Sequence, residues 1–287
     1  MKYNSSHIES AYQEAIQFTK SHYENFPVIS LFVNKELRKH VAIFYQFARQ
    51  ADDIVDEGDV SEEFRITALD KYENNLSEAL KNNFVNDFWT GLKNTIDLFD
   101  LTHENFFNLI KAFRQDITKS RYNDFKEVLN YCKNSANPVG RVILELNKIR
   151  DENTIKFSDD VCTALQLTNF WQDVGVDLKK NRIYLPLDEM QNFGLDEKNL
   201  ELNANNTNIK QLLKFQVYRV HELFRSGRKI IPKLSGRLKY QIHWTILGGE
   251  KILAKIEQCD FDTIKVRPKL SKADYFLLMI KSMFEKR

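Results

Sequence analysis

Along most of the chain, apolar residues recur three and four positions apart rather than in alternation, the spacing that gathers them on one side of an α-helix. Over residues 35–56, Val41, Phe44, Tyr45 and Ala48 share a face. Over 61–80 the stripe is Phe64, Ala68, Leu69, Tyr72, Leu76 and Leu80, and over 103–120 it is Phe106, Phe107, Ile110 and Phe113. The same spacing predicts helices over 6–21, 125–135, 139–146, 159–177, 209–231, 238–258 and 272–284. Breaks are expected at 25–27, 137–138, 179–186 and 267–268, where proline or clustered polar residues end a helix. The stretch 198-KNLELNANNTNIK-210 reads as a polar loop. No linker is long enough to divide the chain and no repeat is visible, so the pattern predicts one all-α domain over 1–287.

Composition agrees with a helical fold. The 287 residues include 9 glycines and 5 prolines, about half the usual share, fewer than a β-sandwich or a dinucleotide-binding fold needs for its turns. Charged residues make up 29% and nearly cancel to +2, which argues against nucleic acid as a partner. Cys132, Cys162 and Cys259 are odd in number, far apart and outside any CxxC pair, as expected of reduced, buried thiols in a cytosolic protein. The start MKYNSSHIESAYQEA has no apolar core of a signal peptide, and no apolar run approaches the ~18 residues of a membrane span. These features predict a soluble, cytoplasmic protein.

Two charged stripes interrupt apolar helices. The first, 49-RQADDIVDEGD-59, follows 41-VAIFYQFA-48 and places Asp52 and Asp56 one turn apart, with Asp53 pointing away. The second, 160-DVCTALQLTNFWQDVGVD-177, places Asn169, Asp173 and Asp177 at i, i+4 and i+8 on one face, with Gln166 a turn earlier. Carboxylates one turn apart repel unless a cation lies between them, and oxygen-only ligands suit Mg²⁺, which shares its coordination with phosphate oxygens. Arg49, and Arg182 and Tyr184 in 179-KKNRIYLP-186, add cations and a phenol suited to gripping a departing diphosphate.

The pairing of 52-DDIVD-56 with 166-QLTNFWQDVGVD-177, followed by 181-NRIYLP-186 and with 131-YCKNSANPVGR-141 between them, resembles the squalene/phytoene synthase family over nearly the whole chain. The resemblance implies a single-domain isoprenoid-synthase helical bundle, with two aspartate motifs facing each other across a deep apolar cavity. It implies ionisation of prenyl diphosphates with two or three Mg²⁺ ions held by Asp52, Asp56, Asn169, Asp173 and Asp177. Arg49 and Arg182 would contact diphosphate, and Tyr131 would line the pocket of a cyclopropyl intermediate. Within the family, 22-HYENFPV-28, 52-DDIVDEGD-59, 135-SANPVGR-141 and 169-NFWQDVGVD-177 are most similar to bacterial hydroxysqualene synthases of hopanoid biosynthesis. Those enzymes ionise presqualene diphosphate and capture the rearranged cation with water, with no nicotinamide.

Gln172 stands where condensing relatives carry arginine, and a polar side chain there suits holding a water. Two other readings stay open: head-to-head condensation of farnesyl or geranylgeranyl diphosphates to squalene, dehydrosqualene or phytoene, and a helical assembly factor without catalysis. Phe26, Phe44, Tyr45, Phe47, Phe170 and Trp171 neighbour the motifs and are either core or cavity lining. Other squalene-pathway enzymes are the expected partners. The C-terminal 272-KADYFLLMIKSMFEKR-287 sets Phe276, Leu277, Leu278, Ile280, Met283 and Phe284 among Lys272, Lys281, Lys286 and Arg287. That pattern suits a helix resting on an anionic membrane surface, peripheral to its inner face, or one packing its apolar side on the core.

Overall fold

A computed structural model describes residues 5–21, 33–202 and 207–284, apart from the side chain of Leu202. The 22-HYENFPV-28 stretch with Phe26, the expected break at 25–27, the middle of the expected polar loop, and Lys286 and Arg287 lie outside the described residues. In order the helices are α1 (Ser5–Ser21), α2 (Arg38–Asp56), α3 (Glu62–Leu80), α4 (Asp87–Phe99), α5 (His103–Thr118), α6 (Phe125–Ser135) and α7 (Asn137–Leu146). There follow α8 (Glu152–Gln172), α9 (Val174–Lys179), α10 (Leu187–Asn192), α11 (Glu197–Leu202), α12 (Thr207–Gly227), α13 (Gly236–Gln258) and α14 (Lys272–Phe284). Short 3₁₀ turns, Lys35–Leu37 and Arg228–Lys233, precede α2 and follow α12. No strand occurs among the described residues; an isolated bridge joins Arg121 and Ile183.

The chain forms two compact units, the first running up to Thr118 and including Pro138–Asp151. Its core is built round α2, which packs against α1, α3, α4 and α5. A helix enclosed on several sides buries more than one stripe. Val41, Ala42, Ile43, Phe44, Gln46 and Phe47 are all buried, whereas Tyr45 and Ala48, expected on the buried face, are only half-buried. Phe47 is the hub, with ring centroids 5.3 Å from Phe106, 5.4 Å from Tyr72 and 6.3 Å from Trp89. Phe44 and Phe47 are therefore core residues of this unit. α4 is a helix absent from the expectations above, although Trp89, Leu92, Ile96 and Phe99 stand at helical spacing. Asn86 caps its start by accepting the Trp89 N–H at 3.4 Å, and α1 approaches it so closely that a Cβ on Gly91 would lie 2.6 Å from Ala11 Cβ.

A polar network crosses this core. Thr95 Oγ1 lies 2.8 Å from Tyr12 OH and 2.9 Å from His40 Nδ1, and Asn94 Nδ2 donates to Tyr12 OH at 2.9 Å. Burial, with Lys39 adding to it, pushes the His40 pKa down to about 4 from 6.5. A group whose folded pKa is depressed gives stability that is present above pH 6.5 and is lost as pH falls toward 4. Thr95→Val is isosteric but strips both neighbours of a partner. It is expected to cost about 2 kcal/mol in urea unfolding at pH 8. A variant as stable as the parent would show that the network is dispensable.

The second unit comprises Lys119–Asn137 and the chain from Glu152 onward. Its axis is α8, packed against α6, α12, α13 and the 3₁₀ turn Arg228–Lys233. Segments 120–123 and 183–188 run side by side: Ile183 N–H donates to Ser120 O at 2.9 Å and Leu187 N–H to Tyr122 O at 2.9 Å. Arg121 fastens them, donating to both Glu197 carboxylate oxygens at 2.9 Å and to the backbone and side-chain oxygens of Asn181 at 2.6 and 2.8 Å.

Three expectations are corrected here. Residues 198–202 belong to α11, anchored by fully buried Leu200, and 207–210 open α12, so both ends of the expected loop are helical. The expected helix over 159–177 starts earlier, at Glu152, and breaks at Asp173. All three cysteines are free, but only Cys132 is buried, its thiol pKa pushed up to about 12 by burial; Cys162 and Cys259 are half-buried. No helix of the described residues is long and apolar enough to cross a membrane.

Candidate active site

In the first unit, Asp52, Asp53, Asp56 and Glu57 crowd the C-terminal end of α2. Negative charge there adds to the negative end of the helix dipole, an arrangement that costs stability unless cations compensate. Arg49 lies within 3.3 Å of Asp52 and 2.7 Å of Asp53, and 3.8 Å from Glu57. Asp53, expected to point away, is thus the nearest partner of Arg49, and Asp52 is half-buried while Asp56 is exposed. A second cation, Arg65 of α3, was not singled out in the sequence. It caps the helix end by donating to the carbonyls of Ile54 at 3.0 Å, Glu57 at 3.1 Å and Gly58 at 2.7 Å, and to that of Val55.

In the second unit the motif straddles the end of α8. Asn169 is exposed, Gln166 half-buried a turn before it, and Asp173 and Asp177 half-buried beyond it. The helical hydrogen bonds continue through Asp173 N–H to Asn169 O at 2.9 Å and Asp177 N–H to Asp173 O at 2.8 Å. Gly175 breaks the series, because its N–H turns to Thr263 O at 3.2 Å. The segment 263–268 lies against this break so tightly that a Cβ on Gly175 would sit 2.0 Å from Ile264 O. The same segment brings Arg267, which donates from Nε and Nη2 to the two Asp173 oxygens at 2.5 and 2.7 Å. Gln172 is buried and its Nε2 donates to Pro268 O at 2.6 Å, tying the end of α8 to this segment.

Asp177 is the electrostatic focus. Burial, and then the charge of Asp173, raise its pKa from 3.8 to about 7 against the opposing pull of Arg182, Lys180 and Arg267. It borders a narrow cleft lined by Phe170, Trp171, Val174, Arg182, Tyr184 and Leu200. Tyr131 and Tyr184, from distant parts of the sequence, meet Phe170 there. Phe170 stacks on Tyr184 at 3.7 Å and 10°, and Tyr131 lies 5.7 Å from Phe170 and 6.0 Å from Tyr184. Tyr122, a further member, stacks on Tyr184 at 5.5 Å. The result is a carboxylate pair with nearby cations at the edge of a cluster of four rings.

No group of three His, Cys, Asp or Glu side chains converges on a metal position among the described residues. The donor chemistry nonetheless fits a hard divalent cation within each unit. Asp52 and Asp56 in the first, and Asn169, Asp173 and Asp177 in the second, offer oxygen only. Burial, and after it the charge of Asp173, keeps Asp177 half-protonated near neutral pH.

These features define a class: an all-α fold of the isoprenoid-synthase type. A crystal structure of squalene synthase HpnC from Alicyclobacillus acidocaldarius matches with a TM-score of 0.84 at 35% identity, covering 88% of this chain and 95% of that one. A dehydrosqualene synthase in complex with ligand matches in fold, with a TM-score of 0.85 at 20% identity, covering 96% of each chain. The family profile described as Squalene/phytoene synthase matches residues 19–274, and the chain belongs to that family. Among curated relatives, the hydroxysqualene synthase of Rhodopseudomonas palustris is 32% identical over 239 residues, 83% of this chain and 80% of that protein. The hydroxysqualene synthase of Zymomonas mobilis is 38% identical over 177 residues, 60% of this chain, and the match spans only 57% of that relative's length. The chloroplastic phytoene synthase 1 of Zea mays is 26% identical over 278 residues, 95% of this chain and 68% of that protein. The family and fold expected from the paired motifs are borne out.

Proposed function

We propose that this protein converts presqualene diphosphate to hydroxysqualene with Mg²⁺ and without a nicotinamide, in the cytoplasm, as a step of squalene and hopanoid biosynthesis. The observation that carries this reading is the Asp173–Asp177 pair, with Arg182 close by, at the rim of the Tyr122–Tyr131–Phe170–Tyr184 cluster. Diphosphate-binding chemistry there adjoins π faces that stabilise a cation. The hydroxysqualene synthases among the relatives support the choice of product.

Asp52 and Asp56 of the first unit and Asn169, Asp173 and Asp177 of the second would hold magnesium, which, when bound, neutralises the diphosphate and eases its departure. Arg267 donates to both oxygens of Asp173, so a metal held by Asp173 would share that carboxylate with the guanidinium through its remaining lone pairs. Arg182 supplies positive charge beside Asp177 for the leaving group. As the carbon–oxygen bond breaks, its electron pair leaves with diphosphate. The aromatic faces hold the rearranged cation until a water oxygen bonds to it and sheds a proton. The enzymes that form presqualene diphosphate and consume the alcohol would be its pathway partners.

The test is incubation with Mg²⁺ and presqualene diphosphate in oxygen-18 water, with no nicotinamide. The expected product is hydroxysqualene carrying the label. A second reading is head-to-head condensation, favoured by the likeness to the 35% identical HpnC, which is named a squalene synthase. Squalene, dehydrosqualene or phytoene as the main product from farnesyl or geranylgeranyl diphosphate would establish that reading instead.

A further inference from the structure

α14 has two unlike sides. Leu278 and Ser282 are buried, and the helix is tied to α13 through them and through its backbone. Trp244 Nε1 donates to Tyr275 O at 3.3 Å, and His243 Nδ1 lies 3.2 Å from Ser282 O. Lys255 pairs with Asp274 at 2.9 Å. The apolar residues expected either to enter the core or to meet a membrane do not, apart from Leu278, enter the core. Phe276 is 59% exposed, Leu277 63% and Phe284 75%, with Ile280 and Met283 exposed beside them. At 100° per residue these five span an arc of about 120°, opposite the buried side. Lys272 and Lys281 fall just outside its two edges.

We propose that this face seats the protein on an anionic lipid bilayer. An apolar strip bordered by lysines is the pattern of a helix lying in the interface, its rings among the acyl chains and its ammonium groups at the headgroups. The segment leading into the helix, 265-KVRPKLSK-272, has no anion and, besides Arg267, which is bound to Asp173, three lysines; Val266 in it is exposed as well. The single acid of residues 265–284, Asp274, is already bound to Lys255. Charge also selects the occupant. A symmetric pairing of two copies through this face would set Lys272 and Lys281 against their own counterparts, whereas anionic lipid complements them.

Vesicle sedimentation of the full chain, without substrate, tests this independently of the chemistry proposed above. Vesicles are phosphatidylcholine alone or mixed equally with phosphatidylglycerol. Point variants are used because removing α14 would also strip His243 and Trp244 of their backbone partners. The parent is expected to partition at least ~10-fold better onto the anionic vesicles, and to be released as salt rises from ~0.05 to ~0.5 M. The triple variant Phe276→Ser/Leu277→Ser/Phe284→Ser and the double variant Lys269→Glu/Lys272→Glu should each lose ~10-fold or more in partitioning, with unchanged melting temperature. A parent that stays in the supernatant, or variants that bind as it does, would overturn the proposal. So would a concentration-dependent dimer abolished by the serine substitutions, which would give the face to a second copy.

Discussion

Asp177→Asn is expected to lower turnover of the prenyl diphosphate at least ~10³-fold while raising the melting temperature of the metal-free protein at pH 8. Both effects come from one carboxyl. In the folded chain its pKa is about 7, against 3.8 for the ordinary group, because burial and Asp173 both disfavour its charge. The folded state therefore holds the proton more tightly than the unfolded state. The stability linked to this group is complete below pH 3.8, declines as pH rises, and is lost by about pH 7. At 1.36 kcal/mol per pKa unit the penalty at pH 8 is on the order of 2–4 kcal/mol, several degrees in melting temperature. Asparagine escapes it, so the variant should gain stability at pH 8 and little at pH 4.

Added Mg²⁺ should stabilise the parent more at pH 8 than at pH 5, since ligation needs the carboxylate, and should stabilise the asparagine variant less at both. Asp52→Ala, Asp56→Ala and Asp173→Ala should also abolish turnover while leaving the helical fold intact. Near-parental activity in these variants, or activity that survives complete chelation of Mg²⁺, would show the site to be misassigned. Matching pH–stability curves for parent and Asp177→Asn would show that this carboxyl is not desolvated.

The sequence reveals the local parts of this molecule and misses what is assembled at a distance. α6 has the bounds predicted from spacing, because an apolar stripe and clear stop signals coincide there, and α14 begins at the predicted Lys272. α4 carries the same signal, with Trp89, Leu92, Ile96 and Phe99 at helical spacing, but the polar or small Thr90, Gly91, Lys93 and Thr95 buried among them dilute it. The aspartate motifs were plain as patterns of residue type, and so was the family. Their electrostatic partners were not. Arg65 reaches α2 from the next helix and Arg267 reaches Asp173 across 94 positions, so neither has a motif to mark it. Tyr122 joins the ring cluster only because 120–123 runs beside 183–188. Gln172 has a partner of the same distant kind, the Pro268 carbonyl 96 positions away.

The break at Asp173 shows the same limit. Gly175 between two valines weakens the helix locally, and its N–H leaves the series for Thr263 O, a partner from far along the chain. That contact makes Gly175→Ala the single-methyl change expected to do the most damage. The new Cβ would lie 2.0 Å from the Ile264 carbonyl oxygen and 2.8 Å from its carbon, which are backbone atoms that cannot rotate aside. Relief requires the segment 263–268 to lift from α9, and that segment carries both the Pro268 tie to Gln172 and the Arg267 clamp on Asp173. Overpacking against backbone costs about 3 kcal/mol or more, and a displacement of about 1 Å at the carboxylate pair costs roughly 100-fold in rate. Gln172→Met calibrates the effect, because it removes the amide tie without a clash and should cost only about 1–2 kcal/mol. Urea unfolding and turnover of both variants, set beside the parent, provide the comparison. If Gly175→Ala is as stable and as active as the parent, the seam is loose and does not position the second aspartate motif.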